Sequence, residues 1–179
     1  MPLRRDGSRR ARADVVATVA IDTHSDLPSP PKPSLLAARP PLGVILRERG
    51  LIAPERLAEA LAEVEATRRR LGEVLLSRGW IYEQELARAI SCQSGLDYVD
   101  LSTACVNARD AALLDPEVGQ RCRAVPIGFN GDELVVALAD PAPDVVEELQ
   151  ARLPYSLRLA VAEPSLVQDV WDELLERVR

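Results

Sequence analysis

Lysine is almost missing from this chain of 179 residues: of 22 basic residues only Lys32 is lysine, and the rest are arginine. A P-loop ATPase needs a lysine at the end of a glycine-rich loop. Lys32 instead lies between prolines, so this sequence contains no such loop. Histidine is also rare, since His24 stands alone and has no catalytic or metal-binding partner. No nucleophile elbow and no Cys-x-x-Cys pair occurs, so we expect a protein that is not an enzyme.

Cysteines, aromatics and long apolar runs are also scarce. The three cysteines, Cys92, Cys105 and Cys122, are odd in number and widely spaced, which favours reduced thiols in a cytoplasmic protein over a disulfide framework. The apolar run at residues 15–21 has seven residues, whereas a spanning helix needs about 20. We therefore expect no direct insertion into a membrane. Aromatics make up 3% of the chain, so the core must be aliphatic.

Charge is distributed unevenly along the chain. Residues 1–41 carry seven basic and four acidic side chains, whereas residues 42–179 carry 15 basic and 24 acidic ones. An acidic folded part argues against nucleic acid as a partner. Prolines and arginines dominate residues 1–38, and such a composition buries too little apolar surface to offset ordering entropy. We expect those residues to form a disordered tail.

One pattern of 24 residues is written twice, at residues 41–64 and 70–93, with every paired position 29 residues apart. Nine pairs are identical: Leu42/Leu71, Gly43/Gly72, Leu46/Leu75, Arg49/Arg78, Gly50/Gly79, Ile52/Ile81, Leu57/Leu86, Ala58/Ala87 and Ala60/Ala89. An internal repeat of this kind indicates that one supersecondary unit occurs twice.

Each copy is predicted to form a helix, a glycine stop and a second helix. Leu42, Ile45 and Leu46 have helical spacing and share one face. Gly50 follows two arginines, as is typical of a helix end. Glycine adopts the left-handed conformation freely, and cations are favourable near the negative, C-terminal end of the helix dipole. The second helix of copy one is predicted to bury the stripe Leu57, Leu61 and Val64. Two such hairpins should pack as a pseudo-symmetric bundle.

The doubled pattern resembles the MshEN domain, the N-terminal domain of GspE-like assembly ATPases of type II secretion and type IV pili, here without the ATPase. That family carries Arg-Leu-Gly followed by Leu, Gly, Leu, Leu and Gln, doubled across a five-residue spacer, which here is residues 65–69. The second copy matches throughout, with isoleucine for one leucine: Arg70, Leu71, Gly72, Leu75, Gly79, Leu86, Ile90 and Gln93.

The resemblance implies a ligand, because in that family the doubled motif binds the bacterial second messenger cyclic di-GMP. The first copy would add Leu42, Gly43, Leu46, Leu57 and Leu61 to the residues just given. An arginine fork can bond phosphate or guanine, and a glutamine amide offers a donor and an acceptor to a base edge. A glycine lets the backbone approach the ligand. No cofactor or metal is expected besides this ligand.

Copy one departs from the motif at both polar positions, where Pro41 stands for the arginine and Val64 for the glutamine. Two functions therefore stay open. The chain is either a regulatory module of the GspE/MshE N-terminal type that binds cyclic di-GMP chiefly through copy two, or a protein-docking module that has lost nucleotide binding. The resemblance implies a secretion or pilus assembly ATPase, or its membrane platform protein, as the protein partner.

The remainder of the chain is predicted to form an α+β layer. An extended stretch at 97–101 is followed by short helices at 107–114 and 116–121, strands at 122–129 and 133–139 around a tight turn at Asn130-Gly131, a helix at 143–153, a strand at 155–161 and a last helix at 163–179. We therefore predict an α+β protein with a pseudo-repeated helical bundle of two helical hairpins, followed by a small ββαβα subdomain. The expected divisions are a tail at 1–38, the helical subdomain at 39–98 and the α+β subdomain at 99–179.

Overall fold

The computed structural model describes residues 40–104 and 106–176. The tail predicted at 1–38 lies outside these ranges. The described residues form α1 (Leu42–Glu48), α2 (Pro54–Thr67), α3 (Leu71–Ser77), α4 (Glu83–Ser94), β1 (Asp97–Tyr98), α5 (Ala108–Ala111), α6 (Pro116–Cys122), β2 (Ala124–Asn130), β3 (Glu133–Leu138), α7 (Pro143–Arg152), β4 (Ser156–Val161) and α8 (Pro164–Glu176). The predicted α+β class is confirmed.

The first four helices repeat the 29-residue offset of the sequence. Helices α1 and α3 have seven residues each, and each is followed by a glycine in the left-handed conformation, with φ +68° at Gly50 and +63° at Gly79. The Gly50 N–H donates to the Arg47 carbonyl at 2.9 Å, and the Gly79 N–H donates to the Leu76 carbonyl at 2.9 Å. The Leu51 N–H also donates to the Leu46 carbonyl at 2.9 Å, and the Trp80 N–H donates to the Leu75 carbonyl at 3.0 Å. These two bonds at each end form a Schellman motif, so the predicted glycine stops are confirmed in both copies.

The glycines of the two Leu-Gly pairs allow close packing within each hairpin. A Cβ added at Gly43 would lie 3.1 Å from Leu57 Cδ1, and one added at Gly72 would lie 3.0 Å from Leu86 Cδ2. The backbone of α1 therefore lies close to Leu57 of α2 at Gly43, and that of α3 lies close to Leu86 of α4 at Gly72. A larger residue at either position would have to displace a leucine of the facing helix.

The buried apolar residues of the bundle form one cluster that includes Leu46, Val74 and Leu75, all at 0% exposure. The prediction that Leu61 belongs to a buried stripe is wrong, because Leu61 is 45% exposed. Helix α2 packs mainly on α1 and α3, whereas α4 packs on α1 and also on β1 and β4. Among residues 40–104 and 106–176, the sheet packs on α4 and not on the outer side of α2, and the buried face of α2 is therefore narrower than that of α4.

The second core cluster lies in the sheet layer, whose strand order is β1-β4-β3-β2. Strands β2 and β3 form an antiparallel hairpin, and β4 runs parallel to both β3 and β1. Gly131 has φ +61° at the hairpin turn, as the Asn130-Gly131 pair predicts. Trp171 of α8 is 2% exposed and packs directly on Gly119 of α6.

The open end of the β2–β3 hairpin faces the helical bundle. There the Ala139 N–H donates to the Arg123 carbonyl at 3.0 Å, which holds the residues that flank the two strands side by side. Arg70 pairs with Asp140 and ties this end to the bundle. The Ser165 N–H of α8 donates to Glu83 Oε2 of α4 at 3.0 Å and forms a second link between the layers. Within the described ranges, the helices are too short or too polar to cross a bilayer.

Candidate functional site

A cleft of 530 Å³ lies between the second helical hairpin and the open end of the β2–β3 hairpin. This volume falls within the range of small-molecule sites, roughly 300–1,000 Å³. Seven of the residues singled out in the sequence line it, six of them from copy two: Leu42, Arg70, Leu71, Gly72, Leu86, Ile90 and Gln93. The second motif therefore faces one common cavity.

The other six residues singled out in the sequence lie elsewhere. Four are buried in the bundle: Gly43, Leu46, Leu57 and Leu75. Gly79 is exposed at the end of α3, and the half-exposed Leu61 is outside the cleft wall. The buried leucines build the bundle that carries the cleft, and Gly79 follows the helix that Arg70 precedes.

Arg70 occupies one rim of the cleft. Its guanidinium forms a short ion pair with Asp140, which follows β3, and the two side chains remain 51% and 42% exposed. The hydrogen bond to Asp140 raises the pKa of Arg70, which stays charged in any case. An ion pair this exposed contributes only about 0–1 kcal/mol to stability, so a ligand anion can compete for the arginine at small cost.

Gln93 and the apolar side chains form the rest of the bundle side. The Gln93 amide donates from Nε2 to the Pro40 carbonyl at 3.1 Å, which ties the end of α4 to the chain just before copy one. Leu42, Leu71 and Ile90 are half-buried and offer an apolar surface inside the cleft. This combination of an arginine, an amide and an apolar surface suits a flat, anionic, heteroaromatic ligand.

The opposite wall comes from residues that the sequence reasoning missed. They are Arg121, Cys122 and Arg123 before β2, and Ala139, Asp140, Pro141, Asp144 and Val145 after β3. A signal for them was present, because the residues that flank the open end of a predicted hairpin must lie side by side. The direction in which that end would face was not encoded in any local pattern.

One side chain of this wall, Cys122, is a thiol. The Cys122 thiol is buried and donates from Sγ to Glu148 Oε2 at 3.4 Å. Burial raises the pKa of Cys122, and the bond to Glu148 adds to this effect. A thiol with a raised pKa stays protonated at neutral pH and is a poor nucleophile.

Comparisons with known proteins found one family profile and one curated relative that are similar to this chain. Residues 94–179 match the family profile described as the MshEN domain. The type IV pilus assembly ATPase PilB of Thermus thermophilus is 37% identical over 154 residues, which cover 84% of this chain. The chain spans only 16% of the length of that relative.

Two solved structures share the fold. A structure of MshE with cdg (cyclic di-GMP) is 35% identical, has a TM-score of 0.68, and matches over 76% of this chain and 99% of its own. A structure of the N-terminal domain of XpsE is 19% identical, with a TM-score of 0.62 and coverage of 73% of this chain and 91% of its own. The XpsE similarity supports the fold alone.

Proposed function

The chain belongs to the MshEN domain family, and from this we propose that it is a non-catalytic regulatory module that binds cyclic di-GMP through its second motif copy. The system it serves is a type II secretion or type IV pilus-like machine, a proposal supported by the PilB relative, which is a type IV pilus assembly ATPase. We further propose that it acts in the cytoplasm, and that residues 39–98 and 99–179 are its two subdomains.

The observation that carries this proposal is the convergence of copy two on one cleft. Arg70, Leu71 and Gln93 are separated by up to 23 residues in sequence, yet they line the same cavity. The related MshE structure is described with cyclic di-GMP. A scattered arrangement of the same residues would have supported only a structural role.

The energies favour the exchange of Asp140 for a ligand phosphate at Arg70. The exposed Arg70–Asp140 pair contributes about 0–1 kcal/mol, whereas a charge-assisted hydrogen bond in a drier site contributes about 1.5–3 kcal/mol. A cyclic dinucleotide that fills the cleft would exclude water from Arg70 and so strengthen the contact.

Calorimetric titration with cyclic di-GMP tests the proposal. The wild type should bind, and Arg70→Ala should raise the Kd at least about tenfold, because one charge-assisted contact is lost. Arg47→Ala is the matched control, since Arg47 is exposed on α1 and lies outside the cleft wall. Tight wild-type binding that Arg70→Ala leaves unchanged would show that the motif mechanism is wrong.

A second candidate function is protein docking through copy one. Leu61 is 45% exposed, whereas its counterpart Ile90 is half-buried in the cleft. Copy one also lacks both polar anchors, since Pro41 and Val64 replace the arginine and the glutamine. An apolar surface without ligand anchors suits a protein partner, and we propose an assembly ATPase or its membrane platform protein.

A double variant distinguishes the two functions. Pro41→Arg with Val64→Gln restores the motif in copy one and should strengthen cyclic di-GMP binding. Val64 is half-buried, and an unpaired amide there can cost about 1–3 kcal/mol in stability, so melting curves must accompany the titration. If neither the wild type nor the folded double variant binds, docking replaces ligand binding as the favoured function.

A further inference from the structure

Arg123 lies where the cleft meets a second groove. This groove, of 510 Å³, runs between α3 and the start of α8, and Arg123, Glu73 and Leu76 belong to its wall as well as to that of the cleft. The Arg123 side chain is exposed. A cation at this junction can reach an anion in the cleft without any rearrangement of the fold.

The other arginines of the cleft already have carboxylate partners. Arg70 pairs with Asp140, and Arg121 pairs with Glu148. Within residues 40–104 and 106–176, no hydrogen bond or ion pair engages the Arg123 guanidinium. Of the three cleft arginines, Arg123 is therefore the one whose charge is not already neutralised by a neighbour in that part of the chain.

The backbone of Arg123 is held in a conformation that arginine does not favour. Its φ of 47° and ψ of 51° are left-handed, at the end of α6, where glycine or asparagine is the ordinary residue. The Ala139 N–H bonds to the Arg123 carbonyl at 3.0 Å and fixes the residue against the sheet. Strained residues of this kind concentrate at functional sites.

Arg68 provides an internal comparison. It is also an exposed arginine in the left-handed conformation, with φ 57°, at the end of α2. Arg68 lines neither the cleft nor the adjoining groove. The conformation alone therefore does not mark a binding residue, and the position of Arg123 in the cleft wall distinguishes the two.

We propose that Arg123 binds a phosphate of the cyclic dinucleotide, an inference that rests on the proposed function. Cyclic di-GMP carries two phosphates, while the first position of the doubled motif supplies one arginine, because Pro41 occupies the position equivalent to Arg70. Arg70 binds one phosphate from the bundle side, and Arg123 binds the other from the sheet side. The ligand thereby bridges the two layers of the molecule.

Paired asparagine variants test this inference. Arg123→Asn removes the cation but keeps a side chain that adopts the left-handed conformation readily, so the variant should fold. Arg68→Asn makes the same change outside the cleft. In calorimetric titration with cyclic di-GMP, Arg123→Asn should raise the Kd about tenfold, equivalent to one charge-assisted contact, and Arg68→Asn should leave it unchanged.

Salt dependence provides the second measurement, because screening weakens a charged contact more than an apolar one. Affinity of the wild type should fall more steeply with sodium chloride concentration than affinity of Arg123→Asn. Equal Kd values for the two asparagine variants would overturn the role of Arg123 and leave the proposed function intact. If the wild type shows no binding at about 1 mM ligand, which corresponds to a binding free energy weaker than about 4 kcal/mol, both the role of Arg123 and the proposed function would be overturned.

Discussion

At the scale of single residues, Tyr98 joins the helical bundle to the sheet layer. Its hydroxyl donates to Glu163 Oε1 at 2.8 Å, just before α8 begins, and the Arg88 guanidinium of α4 lies 4.6 Å from the centre of its ring. Burial raises the pKa of Tyr98, and the hydrogen bond to Glu163 adds to the effect. The folded protein therefore holds the phenolic proton more tightly than the unfolded chain does.

Tyr98→Phe should lower the free energy of unfolding by about 1 kcal/mol at neutral pH, because one hydrogen bond is lost. Because the pKa of Tyr98 is raised in the folded state, its phenol contributes to the free energy of unfolding, and this contribution is complete below the pKa of the unfolded phenol, about 10. That contribution is lost as pH rises through the folded value. Denaturant unfolding of the wild type and of Tyr98→Phe at neutral and alkaline pH checks this. A difference in free energy of unfolding between them that stays constant above pH of about 10 would contradict it.

The surroundings of Gly72 could be predicted only in part from the sequence. The motif identified Gly72 as a position for close approach, but the group that approaches it in the fold is Leu86 of the next helix. Such a contact depends on the crossing of two helices, which no local pattern specifies.

At the scale of elements, the two glycine stops should be energetically equivalent. Gly50 and Gly79 both have positive φ, and a Cβ at either would meet nothing within 4 Å. The cost of alanine is therefore purely conformational, about 1–2 kcal/mol in each copy.

Gly50→Ala and Gly79→Ala should thus reduce the free energy of unfolding by similar amounts in denaturant titrations. Gly50→Asn and Gly79→Asn are the matched controls and should cost less, because asparagine tolerates the left-handed conformation. A loss confined to one copy would show that the two hairpins are not equivalent units.

Elements could be predicted from the sequence where neighbouring residues determine them, and could not be predicted where tertiary packing determines them. Glycine stops, the Asn130-Gly131 turn and the order of strands and helices were predictable, because each depends on neighbouring residues. The exposure of Leu61 was not, since it depends on the packing around α2, where the described part of the chain places no sheet layer. The same spacing leaves Ile90 half-buried in α4, which has β1 and β4 as neighbours.

At the scale of the whole molecule, the cleft exists because the two layers meet at the open end of a hairpin. The bundle side was predictable from copy two, whose Arg70 and Gln93 stand at the two ends of the motif. The far wall was not, because Arg123 and Asp140 are brought to the bundle by docking of the sheet layer. Half of the candidate site is thus a product of tertiary packing.

The central claim is that cyclic di-GMP binds in this cleft through the second copy. The most direct test is the map of amide chemical-shift changes on titration of the full chain with cyclic di-GMP. We expect the largest changes at residues 70–72, 93–94 and 121–123 and around Asp140, with small changes along α2. Changes centred on residues 54–64, or no changes at saturating ligand, would contradict the account.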